Sequence, residues 1–180
     1  MKLAQVAQEI FEYLIGFIAL AVFAAYAFAN GQPTEARWLS AFKLGAAVSL
    51  LELSYLWFRA RPANRLILGG NIWLCAGGIA VYFEQWWWLK LYERFGEASL
   101  IAAMFCIGVF STVFSRAGFV GEIGTRRAVR SASLILLGAV AFALCFAMLN
   151  KGNAKFAAIV PIIALAWLNR ALRVWTRRAV

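Results

Sequence analysis

Polar residues break this chain at short intervals, and between them run apolar stretches of almost constant length. A hydrocarbon core of roughly 30 Å takes about 20 apolar residues of helix to cross, with 17–25 as the working range. Laid along the sequence, that ruler marks six segments: 9–29, 38–58, 66–83, 98–114, 131–149 and 156–172. The connectors carry the helix breakers, in Asn30-Gly31-Gln32-Pro33, Arg59-Ala60-Arg61-Pro62 and Asn150-Lys151-Gly152-Asn153. No stretch alternates with the period of a strand. The pattern predicts an all-α, polytopic membrane protein: one transmembrane domain over 1–180, a six-helix bundle with both termini cytoplasmic.

The first segment also resembles a leader, because Ala27-Phe28-Ala29 mimics a small-x-small cleavage site. A leader has a positive start and a core of about 7–15 apolar residues. Here Glu9 and Glu12 offset Lys2 and the apolar run is longer, so the segment reads as a membrane helix.

Composition sharpens this picture. Apolar residues make up 64% of the 180 and charged residues 14%, with 18 Lys and Arg against 8 acids and a net charge of +10. The cations set the orientation. Lys2, the arginines at 59, 61, 65, 116, 126, 127 and 130, and the four after 169 fall on one side of the bundle. Arg37, Lys43, Lys90, Arg94, Lys151 and Lys155 fall on the other, and the excess marks the cytoplasmic face. Spread over several short connectors, these charges do not form a nucleic-acid surface. All eight acids are Glu and there is no His, which excludes the His- and Asp-dependent membrane enzymes. Cys75, Cys106 and Cys145 form no C-x-x-C pair and read as small packing residues. No cofactor or metal is expected.

Four groups of residues are candidates for function. Glu52, Lys43 and Asn71 are the intramembrane polar residues. Lys43 can snorkel to the outer interface, whereas Glu52 is too short to do so and must face the bundle. Nine residues apart, the two lie on opposite faces of one helix. Asn71 has a depth similar to that of Glu52, so Glu52 is expected to meet Asn71, or else Arg59 on its own face. Second, Glu9 and Glu12 share a helix face and suit a cytoplasmic salt-bridge cuff with Arg59, Arg61 and Arg65. Third, the connector from Ser115 to Arg127 holds Gly118, Gly121 and Gly124, then Thr125, with Arg116, Arg126, Arg127 and Arg130 around it. Glycine amides, a helix start and arginines suit an anion or a lipid headgroup. The same residues also suit a flexible turn followed by ordinary cytoplasmic arginines. Fourth, Trp86, Trp87 and Trp88 lie in an aromatic and charged stretch, 83–96, that reads as an interfacial anchor or a docking ledge. Gly69-Gly70 and Gly77-Gly78 offer a smooth face to a neighbouring helix, and Pro161 should bend the last one.

The layout resembles the intracellular septation protein A family of small bacterial inner-membrane proteins. The likeness rests on Ser54-Tyr55-Leu56-Trp57-Phe58-Arg59, Phe83-Glu84-Gln85-Trp86-Trp87-Trp88-Leu89-Lys90, Phe114-Ser115-Arg116, and Asn150-Lys151-Gly152-Asn153-Ala154-Lys155-Phe156. It implies a role in cell-envelope synthesis and division through protein–protein contacts, not catalysis. The expected partners are anionic phospholipids on the cytoplasmic side and other membrane proteins, a second copy of the chain among them, and no nucleic acid. Two other readings stay open from the residues alone. One is a small transporter, channel or lipid-handling protein using Glu52 and the arginines; the other is a membrane immunity protein against a toxin.

Overall fold

A computed structural model describes residues 15–29, 31, 34–58 and 64–178. Among these the fold is all-α, with seven α-helices: α1 (Ile18–Phe28), α2 (Glu35–Trp57), α3 (Arg65–Tyr82), α4 (Trp86–Phe95), α5 (Ala98–Phe114), α6 (Arg126–Leu149) and α7 (Val160–Arg178). A π-helical turn, Lys155–Ile159, leads into α7. Four stretches are long and apolar enough to cross a membrane: α2, α3, α6 and the continuous run Lys155–Arg178. A fifth arises if α4 and α5, which meet at 102°, count as one broken span. These helices mark a multi-pass membrane protein. The first expected segment lies partly outside the described residues, and its described helix, α1, is 11 residues long.

Contacts group the chain into two compact units. The first holds Met1–Arg59 and Asn71–Leu89, the second Ala60–Gly70 and Lys90–Val180. Helices α3 and α4 each contribute residues to both.

The first unit packs α1 and α3 against α2. Its core is aromatic: Phe23 of α1 lies 4.9 Å from Phe42 and 5.3 Å from Trp38 of α2, and 5.7 Å edge-on from Trp73 of α3. Such tilted pairs stabilise a core beyond the area they bury. Glycine makes room for them. A Cβ on Gly77 would sit 2.4 Å from the Phe42 ring, and one on Gly78 would sit 2.2 Å from the Ala46 Cβ. The two glycine pairs expected to form one face therefore serve different neighbours, because Gly69 admits the backbone of Met104 in the second unit.

In the second unit α6 packs on both α5 and α7. The elbow between α4 and α5 turns at Gly96, whose φ of +56 suits a residue without a side chain. Lys151 closes it, its Nζ donating to the carbonyls of Glu93 and Arg94 at 2.8 and 2.9 Å. A cation on the last carbonyls of a helix satisfies groups that have no partner within it. Just before Pro161 the chain makes a π turn, where the Val160 N–H reaches back to the Lys155 carbonyl. Cys106 and Cys145, read from sequence as packing residues, face outward.

Gly78→Ala should lower stability by about 2 kcal/mol, because its methyl would sit 2.2 Å from the Ala46 Cβ. Adding Ala46→Gly should recover most of that loss. Thermal unfolding of the two variants in detergent checks both outcomes.

Candidate functional site

Glu52 is 7% exposed on α2 and faces the interior of the first unit. Both of its oxygens are engaged. Oε1 accepts the backbone N–H of Ala19 at 3.0 Å, and Oε2 accepts from Asn71 Nδ2 at 2.8 Å. Asn71, fully buried, in turn accepts from the Ser49 hydroxyl at 3.1 Å. The meeting of Glu52 with Asn71 is thus the one their depths imply; the alternative partner, Arg59, lies outside the described residues.

Ala19 is the part the sequence does not announce. Helix α1 starts after a turn at Phe17, whose side chain cannot cap it. The first amides of a helix have no partner within it, and together they carry a partial positive charge. Glu52, 33 positions away, supplies the acceptor. One carboxylate thereby ties the start of α1 to α2 and, through Asn71, to α3. Lys43 is exposed on the opposite face of α2, as its spacing from Glu52 requires.

The glycine-rich connector belongs to the second unit and folds inward. Phe119 and Val120 are fully buried, and the Phe119 ring lies where a Cβ on Gly108 would be. Its amides point into the protein. Those of Phe119 and Val120 donate to the buried Ser133 hydroxyl at 2.9 and 3.4 Å. Those of Gly118, Gly121 and Glu122 donate to carbonyls of Ser115 and Ala117. Gly118 and Gly121 have φ of +60 and +67, and a Cβ on Gly118 would strike Ser133 Oγ at 2.2 Å.

The backbone cradle expected for an anion is therefore already filled by the chain itself. Its carbonyls are also spoken for: Arg173, 8% exposed, donates from Nε to Val120 and from Nη2 to Gly121, both at 2.9 Å. Arg177 pairs with Glu122 at 2.8 Å. Arg116, Arg126, Arg127 and Arg130 stay exposed around a helix start at which Thr125 makes no side-chain cap.

Of the expected cuff, Glu9, Glu12, Arg59 and Arg61 lie outside the described residues. Arg65 is half-buried, with Nη2 3.5 Å from the Ser115 hydroxyl. Just before it, Asn64 caps α3: its Oδ1 accepts from the Leu66 N–H and from Asn169 Nδ2, each at 3.1 Å.

The aromatic stretch resolves into α4, which has no buried residue. Trp86 and Trp87 are exposed, and Trp88 is half-buried with its ring edge-on to Trp87. Trp87 Nε1 donates to Gln85 Oε1 at 3.1 Å. Ahead of α4, Glu84 has a φ of +54, a left-handed turn that ends α3 where glycine is the usual residue.

Among the described residues no group of three or more His, Cys, Asp and Glu is placed to hold a metal ion. Glu52→Gln should cost about 2 kcal/mol of stability, because its new amide opposes the Asn71 amide or the Ala19 N–H. Combining it with Asn71→Asp restores a donor for every acceptor and should recover most of the loss, read as unfolding temperature. Against known proteins, no family, no curated protein and no solved structure matches this chain.

Proposed function

We propose that the chain is a six-span protein of the bacterial inner membrane, with both termini cytoplasmic, that works by contact with other membrane proteins and with anionic lipid. The observation that carries the reading is α4. It is an amphipathic helix with three adjacent tryptophans and no buried residue, set between the membrane-length α3 and the 17-residue apolar helix α5. A free aromatic surface at headgroup level anchors to the interface and offers the residue types that dominate protein contacts. The engagement of both Glu52 oxygens points the same way, since a carboxylate already holding a helix start is poorly placed to carry cargo. The likeness of the motifs at 54–59 and 83–90 to the septation protein A family supplies the setting, in envelope synthesis or division.

One observation favours transport instead. Broken helices whose amide ends face an anionic group near mid-membrane are how many secondary transporters build a site. The turn at Phe17 beside Glu52 has that form. The difference is that here the anion belongs to the chain.

A photo-crosslinking residue in place of Trp87, tested in native membranes against one in place of the outward-facing Phe142, separates the readings. Discrete protein adducts at Trp87 and lipid adducts alone at Phe142 are expected. Lipid adducts alone at both, or an ion flux in vesicles that Glu52→Gln abolishes, would overturn the contact reading.

A further inference from the structure

The second unit gathers a buried and a half-buried cation at one end of its helices, and neither forms an ion pair with a described acid. Arg173, near the end of α7, uses Nε and Nη2 on the loop carbonyls of Val120 and Gly121. Arg65, the first residue of α3, is brought to the same stretch of α7 by the hydrogen bond between its neighbour Asn64 and Asn169, one turn before Arg173. Its Nη2 reaches Ser115 only at 3.5 Å, and its Nε is buried with no acceptor. The acid of the adjoining loop, Glu122, is committed to Arg177.

Asn64 adds an independent observation. It is 7% exposed, and its Nδ2 is buried with no acceptor. The orientation of this amide is not free. Its Oδ1 accepts the Leu66 N–H, a backbone donor whose direction is fixed, so a flipped amide would set its own NH2 against that group. The unmatched group is therefore a donor.

Buried donors without acceptors are costly, and like charges withdrawn from water are more so. A group that accepts several hydrogen bonds and carries negative charge would relieve both costs. A helix start favours negative charge as well. Tetrahedral oxyanions fit this donor set, because arginine presents parallel N–H groups to phosphate.

We propose that Asn64, Arg65 and Arg173 form a binding site for a phosphate oxyanion at the start of α3. The phosphate belongs either to a lipid headgroup or to a free anion. This site is separate from the exposed arginines at 116, 126, 127 and 130, and from the glycine-loop amides, which are already engaged. Its lipid form rests on the contact reading above, but its failure would be seen in anion-dependent stability and not in crosslinking or flux.

The test uses the full chain, delipidated in a phosphate-free maltoside detergent, with unfolding followed by tryptophan fluorescence. Inorganic phosphate and short-chain phosphatidylglycerol are titrated separately. A rise in unfolding temperature with both assigns the site to free oxyanion; a rise with the lipid alone assigns it to a headgroup. Arg65→Gln should weaken the response about tenfold or more, the loss of one charge-assisted hydrogen bond. Arg126→Ala with Arg127→Ala should leave it intact.

Asn64→Asp gives a second readout. Its carboxylate still accepts from Leu66 and Asn169 while bringing a negative charge to the two arginines. It should raise the unfolding temperature without ligand and abolish the further rise. No response to either ligand, an unchanged response in Arg65→Gln, or a response lost only with the surface arginines would overturn the proposal.

Discussion

A polar group inside hydrocarbon has no water to turn to, so each must find its partner within the chain. In the first unit that constraint is met at one point, the Glu52 carboxylate. It takes the free amide at the start of α1 with one oxygen and the Asn71 amide with the other. The helix pairs on either side then fall into register. Ala19 opposite Glu52 brings Phe23 opposite Gly45 and Phe42, and Asn71 opposite Ser49 brings Gly77 opposite Phe42. Aromatic packing fills the core, but a carboxylate with a fixed set of donors tolerates far less sliding than apolar surface does.

The second unit meets the same constraint with the opposite charge. Its loop between α5 and α6 is buried, which would strand backbone groups in most loops. Ser133 takes two of the loop amides, and Arg173 donates to two of its carbonyls. The arginines that looked in sequence like a uniform cytoplasmic rim therefore divide by task. Arg173 holds the loop, Arg177 pairs with Glu122, and Arg65 is left half-buried with its Nε unmatched. Arg116, Arg126, Arg127 and Arg130 remain outside, free to meet a charged surface.

What could be read from sequence follows the physics. Apolar runs fix where helices are, and Glu52 and Asn71 stood out because each is a rare polar group within such a run. Ser49 and Ser133 did not, since a helical Ser or Thr usually bonds its own preceding turn, as Ser54 and Thr112 do here. Asn64 and Asn169 meet across 105 positions, a pairing that no local pattern encodes. The start of α1 at Phe17 has no capping residue to mark it, because its cap comes from another helix. In the glycine loop the spacing was visible but the direction of the amides was not, and that direction decides whether an anion can use them.

Glu52 is a closed clamp, so the amide of Ala19 should be shut off from water. Hydrogen–deuterium exchange over residues 17–21, on the protein in lipid nanodiscs, measures this directly. Exchange at Ala19 should be slow in the native chain and faster in Glu52→Gln. Fast exchange at Ala19 in the native chain would mean that water reaches the carboxylate, and it would contradict the closed clamp.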